Sequence, residues 1–263
     1  VMSNGTLVFL PFGVDGFRAS IHAATYHCRA SSSAGTTLTR DLHVRAVVEQ
    51  YWEVRVSNVY AQEGNMAVLS CTVPSYVKDF VTITSWTQGH VNYYPQQHAD
   101  GRVQMVSSGQ LVIKSIQTGD SQLRFRCRAV HTLSGETRES QDHARIYITE
   151  SRVSVAPSIP ETEAVVTVPR GASATLLCPA TAHPPPTITW YRSHMRGVGG
   201  GGSMVLYNGG GSVGGRLLVA GPVLTIMQVD DQDSATYTCV ANNTHGTSSR
   251  KMELQVMSAL SVR

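Results

Sequence analysis

Two pairs of cysteines at nearly equal separation, each enclosing a tryptophan, constrain this chain more than any other feature. Cys71 and Cys127 lie 56 positions apart, and Cys178 and Cys239 lie 61 apart. Trp86 follows the first cysteine of one pair by fifteen residues, and Trp190 follows that of the other by twelve. None of the five cysteines is close enough to another for a CxxC metal or redox motif, so a zinc site is not expected. A repeated spacing of this kind reads as tandem modules. In each, the cysteines face one another across two packed β-sheets and the indole fills the core beside the bond. Closing a loop of that size stabilises a fold by roughly 4 kcal/mol in the chain-entropy model.

This is the Cys…Trp…Cys arrangement of an immunoglobulin sandwich. An aromatic stands two residues before the second cysteine of each module, in Phe125-Arg126-Cys127 and Tyr237-Thr238-Cys239. The run from Asp233 to Cys239 alternates as a strand should, and Tyr237 is placed to hydrogen-bond back to the preceding corner. Tyr26-His27-Cys28 repeats the pattern, so Cys28 reads as the second cysteine of a sandwich whose first half is absent, and as unpaired. Thr6–Phe9 is expected to be a strand of that partial domain, and Leu38–Val44 its last strand. Alternation and apolar runs place strands at Met66–Val73, Val81–Trp86, Gln110–Ile116, Phe125–Val130 and Ala144–Thr149. They recur at Ala174–Ala180, Thr187–Tyr191, Met204–Asn208, Val223–Val229, Thr236–Ala241 and Lys251–Val256. No segment shows a helical period beyond a turn or two. The expected fold is therefore all-β, with tandem immunoglobulin-like β-sandwiches of I-set-like character.

The expected division is residues 1–47 as the C-terminal half of one domain, 48–150 and 151–257 as two further domains, and 258–263 as the start of another. The junctions Val44–Val48 and Ile146–Glu150 contain no Gly or Ser, which limits the angles open to neighbouring domains. Between Gly197 and Gly215 the sequence is mostly glycine around Met204–Asn208, and reads as two flexible loops flanking an edge strand.

Composition narrows function by exclusion. Charged residues are 15% of the chain against about 25% in an average soluble domain, and the formal charge is only +3. That argues against a nucleic-acid partner. The densest basic run, Arg124-Phe125-Arg126-Cys127-Arg128, puts its arginines on the outward face of a strand, where solvated charge is the ordinary role. No apolar run approaches the roughly 20 residues of a membrane span, so attachment to a membrane is expected only through an anchor outside this chain. The N-terminus shows no signal core, which reads as a trimmed chain or a fragment. Gly197–Gly202 and Gly209–Gly214 satisfy GxGxxG, and Gly210–Gly214 satisfies GxSxG, but none follows a buried strand and opens a helix. The ten histidines form no metal-ligand pair. No set of nucleophile, base and orienter is present, so neither an enzyme nor a cofactor is expected. Asn4-Gly5-Thr6 and Asn242-Asn243-Thr244 are glycosylation sequons, consistent with the oxidising route that paired cysteines imply.

Longer stretches carry a resemblance. Gly5–Phe12, His22–Cys28 and Arg40–Val48 resemble the end of the first immunoglobulin domain of the Dscam (Down syndrome cell adhesion molecule) family, most closely its arthropod branch. Gly64–Cys71, Pro74–Val81 and Ser134–Arg138 are similar to the second domain of that family, and Gly221–Ile226 with Val240–Asn243 to the third. The glycine-rich insert departs from the pattern. The resemblance implies an extracellular receptor, on a single-pass membrane protein or secreted. It implies that four N-terminal domains form a horseshoe, and that identical second and third domains of two molecules pair in trans through edge strands. The matching positions are Glu53, Val54, Arg55, Val56, Ser57, Asn58 and Val59 in one module and Thr162, Glu163, Ala164, Val165, Val166 and Thr167 in the other. Each is β-prone, with backbone groups suited to strand addition. Two-fold antiparallel pairing sets each segment against itself, so Arg55 would face an opposing Glu53. The alternative implied by the family is an immune receptor taking foreign ligands on outward loops such as Ser85–Pro95, and guidance ligands are a further class of partner. Intracellular muscle-type repeats seldom pair their cysteines, which sets that class aside.

Overall fold

The computed structural model describes residues 1–46, 50–95, 101–150, 153–161, 164–194, 204–206 and 215–257. Val47 and Val48 of one expected junction, Thr162, Glu163, Asn208, most of the glycine-rich stretch and residues 258–263 lie outside the described residues. The chain divides into two compact units, Val1–Tyr51 and Trp52–Arg263.

The first unit contains one turn of helix, α1 (Ala19–His22), and strands β1 (Ala23–Tyr26), β2 (Arg29–Ser32), β3 (Gly35–Leu38) and β4 (Leu42–Arg45). β1 pairs antiparallel with β4, Ala23 opposite Arg45, while β2 and β3 form a hairpin. The Tyr26 hydroxyl donates to the Ile21 carbonyl at 2.6 Å, the corner bond expected of a tyrosine two residues before a second cysteine. Cys28 is free and exposed. Two expectations are corrected. Thr6–Phe9 is not a strand: the Thr6 backbone bonds locally, to Met2 and the Asn4 side chain, in a turn rather than a ladder, and Phe9 packs edge-on against Tyr26 at 5.6 Å. Leu38–Val44 is not one strand either. Thr39 exchanges bonds with Cys28, its amide donating to the Cys28 carbonyl and its hydroxyl accepting from the Cys28 amide, and the chain turns before β4.

The second unit holds two sandwiches with separate cores. In the first, β5 (Arg55–Val56), β6 (Val59–Gln62), β7 (Ala67–Leu69), β8 (Cys71–Thr72), β9 (Val81–Gln88), β10 (Val91–Tyr93), β11 (Val103–Met105), β12 (Leu111–Ile113), β13 (Arg126–His131), β14 (Thr137–Glu139) and β15 (Ile146–Thr149) follow in order. One sheet runs β10-β9-β13-β14, the other β11-β12-β7, with β5 paired to β8 and β6 parallel to β15. The next sandwich contains β16 (Val155–Ser158), β17 (Val165–Pro169), β18 (Ala174–Leu177), β19 (Thr181–His183), β20 (Thr187–His194), β21 (Met204–Leu206), β22 (Leu217–Ala220), β23 (Val223–Ile226), β24 (Ala235–Asn243) and β25 (Gly246–Met257). Its sheets run β17-β25-β24-β20-β21 and β18-β23-β22, with β16 paired to β19.

Both predicted disulfides are formed, with Cα atoms 6.1 and 6.2 Å apart. Trp86 and Trp190 are fully buried beside them. Each indole donates at 2.9 Å to the carbonyl of a turn glycine, Gly109 or Gly221, so its polar edge is satisfied inside the core. Arg102 clamps the buried Asp120 with two bonds of 2.7 and 2.9 Å, and Asp233 accepts from Arg216 at 3.1 Å in the next sandwich. A third apolar cluster, Met66, Val106, Val112 and Val223 with Val68 and Leu177 packed against it, belongs to neither core and joins the two sandwiches.

Candidate functional site

The edge segment of the first complete sandwich is anchored from within. Trp52 is buried, its indole N–H donates to Glu136 at 2.9 Å, and the Arg138 guanidinium lies 5.1 Å over its ring while donating to its carbonyl. Arg138 and the Trp52 indole hold the Glu136 carboxyl below its usual range, despite some desolvation. With Trp52 and Val54 turned into the core, Glu53 and Arg55 share the opposite, outward face. Arg55 donates through Nε to Glu53 at 2.7 Å, so the two charges sit side by side on one chain.

Past Val56 the segment changes sheet. β5 pairs antiparallel with β8, Val56 opposite Cys71. Ser57 and Asn58 are exposed, and the Asn58 carboxamide oxygen accepts from the Arg145 amide at 3.0 Å. The Val59 amide then donates to the Arg145 carbonyl at 2.9 Å and β6 begins beside β15. The expectation of one edge strand over Glu53–Val59 is corrected: the segment enters two separate two-stranded ladders, β5 with β8 and β6 with β15. The Asn58 side chain drives the crossing by taking the place of a ladder partner.

The edge of the second sandwich is simpler. β17 lies at the rim of the five-stranded sheet and runs parallel to β25, Val165 opposite Glu253. The Ala164 carbonyl accepts from the Glu253 amide at 2.7 Å, and the Arg170 amide donates to the Met257 carbonyl at 3.0 Å. Backbone groups alternate in direction along a strand, so the even-numbered residues are turned toward β25. Val165 and Thr167 therefore present N–H and C=O outward, whereas Pro169, next in line, has no N–H. Val166 and Val168 pack on the core, while Val165 and Thr167 are exposed. Glu163 lies outside the described residues.

Tyr60 and Tyr147 escaped the sequence reading. They sit opposite one another on β6 and β15 and stack at 5.2 Å with 25° between ring planes. Tyr60 is 73% exposed, an aromatic pair on the solvent face beside the sheet switch. Strand alternation alone gave no sign of it, because the two tyrosines come from segments far apart in the chain whose pairing is set by the parallel register.

Both sequons are exposed. The Asn4 side-chain oxygen accepts from the Thr6 amide at 3.0 Å, and that of Asn242 accepts from the Thr247 hydroxyl at 2.8 Å. The neighbouring Asn243 is used internally, donating to the Val155 and Pro184 carbonyls. Among the described residues no group of His, Cys, Asp or Glu is arranged to hold a metal ion, and no helix is long and apolar enough to cross a membrane.

Tandem two-sheet sandwiches with a disulfide across the sheets and a buried indole beside it define a member of the immunoglobulin superfamily; residues 156–243 match the immunoglobulin domain model. The chain is 37% identical over its whole length to the cell adhesion molecule Dscam1 of Drosophila melanogaster, of which it covers 13%, and 31% identical over 94% of its length to human DSCAM, of which it covers 11%. The solved N-terminal four Ig domains of Dscam1 isoform 4.44 are 35% identical and superpose with a TM-score of 0.86, over 98% of this chain and 67% of that one. A structure described as the basis for Dscam isoform specificity is 36% identical, with a TM-score of 0.82, over 97% of this chain and 64% of that one. The chain belongs to the Dscam family of cell adhesion molecules.

Proposed function

We propose that this chain is part of the extracellular face of a homophilic cell-adhesion receptor, at the cell surface or secreted, and that it binds copies of itself in trans through the edges at Glu53–Val59 and Ala164–Thr167. It acts by binding and not by catalysis, and it uses no nucleic acid. The family relationship supports adhesion, and one relative's structure concerns isoform specificity. The observation that carries the reading on this chain is the Glu53–Arg55 pair on an outward-facing edge. Under a two-fold axis through Val54, an antiparallel partner sets its Arg55 against this Glu53 and its Glu53 against this Arg55. The alternating charges are complementary to themselves. The exposed backbone of Val165 and Thr167 supports the same mode in the neighbouring sandwich, by addition of a strand to a sheet edge. We also assign N-linked glycans to Asn4 and Asn242.

Sedimentation equilibrium tests this directly, with Cys28→Ser as the background so that an exposed thiol cannot link two chains. Arg55→Glu places Glu against Glu twice per dimer. At about 0.5–1 kcal/mol for each exposed charge contact, the loss is roughly 1–2 kcal/mol, or about tenfold in Kd. The parent is expected to dimerise and Arg55→Glu to weaken it by that factor. A parent that stays monomeric at tens of micromolar, or a variant that pairs equally well, rules out this mode and leaves foreign-ligand binding as the reading to test.

A further inference from the structure

The joint between the two sandwiches is built around one buried asparagine. Asn65 is 3% exposed, and both ends of its carboxamide engage the backbone of Ala182 in the next sandwich: Nδ2 donates to the Ala182 carbonyl at 2.9 Å and Oδ1 accepts from the Ala182 amide at 3.0 Å. Ala182 is itself buried, so these are two backbone groups that would otherwise lack a partner away from water. The side chain acts as one more strand residue, read across a domain boundary. Around it the contact is close. A Cβ at Gly64 would collide with the ring of Pro185, and the backbone there has φ +78°, so glycine is required twice over. The Ser107 and Thr175 hydroxyls meet at 3.1 Å.

The apolar part of the joint points the same way. Leu111 and Ile113 face the core of their own sandwich. Val112 between them points to the other face of the sheet and is still fully buried, because Val223 and Leu177 of the next sandwich cover it together with Met66 and Val106. In a sandwich standing alone this outer face would be wet.

We infer that Asn65 is a positioning residue: it locks the two sandwiches in one relative orientation, so that the edge at Glu53–Val56 and the edge at β17 are offered to a partner as a single two-point surface. The orientation follows from the joint alone; its use in recognition rests on the pairing proposed above. Two weak edges held rigidly bind as one, whereas the same edges on a loose joint must be ordered at the moment of binding.

The test separates the two parts. Spin labels at the exposed positions Gln141 and Lys251, one in each sandwich, are introduced as cysteines in the whole chain on the Cys28→Ser background, and the distance distribution is measured by double electron–electron resonance. The parent is expected to give one narrow peak. Asn65→Ala is expected to broaden it at least twofold, and Asn65→Asp, which sets a carboxylate oxygen against the Ala182 carbonyl in place of the donor, to broaden it at least as much. Should Asn65→Ala fail to fold, Val112→Asp disturbs the joint from its apolar side while leaving both disulfide cores alone, and it should broaden the peak likewise. Circular dichroism and buried-tryptophan fluorescence confirm that each core is intact. Paired with this, the dimer Kd of Asn65→Ala is expected to rise at least tenfold although every charge on the edges is unchanged. An unaltered narrow peak overturns the joint. A broadened peak with unchanged Kd overturns the positioning role. A monomeric parent removes the pairing reading and the positioning role with it, while the peak widths still decide whether Asn65 fixes the orientation.

Discussion

Tyr237 and Phe125 stand at the same place, two residues before a second cysteine, and only one has a hydroxyl. Both are fully buried. The Tyr237 hydroxyl donates to the Asp233 carbonyl at 3.0 Å, and burial pushes its pKa up to about 12. A pKa raised on folding means that the native state holds this proton more tightly than the unfolded chain does. The associated stability is complete below the ordinary tyrosine value near 10 and is lost as pH rises through about 12. Tyr237→Phe should therefore cost about 1 kcal/mol at neutral pH through the lost hydrogen bond. It should also remove the part of the alkaline decline that this group causes, measured as urea midpoints from pH 8 to 12. An unchanged alkaline slope in the variant would contradict the assignment. Asp120 works in the opposite direction. Burial opposes its charge, yet Arg102 and the Gln117 amide hold its carboxyl below the usual range. Its contribution is present above the ordinary carboxylate value and fades as pH falls below it, so Asp120→Asn should destabilise the chain at neutral pH and flatten the acid limb.

At the scale of elements, the rim strand β17 makes a sharp distinction between neighbouring residues. Thr167 directs its amide away from β25, so Thr167→Pro removes no ladder bond and is tolerable on a rim strand. Val166 and Val168 direct theirs inward. Thr167→Pro is expected to keep the melting temperature within the equivalent of about 1 kcal/mol while weakening self-association; Val168→Pro should lower the melting temperature outright. Equal thermal damage from both would show that the register is wrong. The strands plainest in the sequence are those with long alternation and a cysteine or tryptophan to fix the face, such as β9, β13, β20 and β24, while short ones such as β12, β15 and β23 were legible as apolar runs. Seven in the two sandwiches that it did not show, β6, β10, β11, β14, β16, β19 and β22, are three or four residues long and exist because a neighbour accepts them. Alternation needs more residues than that to be seen. The switch at Ser57–Asn58 was hidden for another reason, since it depends on the carboxamide of Asn58 meeting Arg145 from the far end of the domain.

For the whole molecule, the cysteine and tryptophan spacing made the repeat legible, but not the packing of one sandwich on the next. Val112 and Asn65 look like ordinary strand and turn residues until the partner sandwich is in place, because the signal lies in what covers them. The edge charges were legible as residues and not as a pair: Arg55 reaches Glu53 only because Val54 between them is drawn into the core. That pairing makes the central claim open to a test that stability effects cannot imitate. Glu53→Arg leaves arginine at both positions and Arg55→Glu leaves glutamate at both, so each variant repels itself. In a mixture of the two, a chain with arginine at both positions faces a chain with glutamate at both, and attraction returns at each contact. The measurement is sedimentation equilibrium of each variant alone and of the equimolar mixture, on the Cys28→Ser background. Weak self-association of each variant with recovery of a parent-like Kd in the mixture is the predicted result. A mixture that associates no better than its components would show that these edges do not meet across a two-fold axis, and the self-recognition proposed for this chain would fall with them.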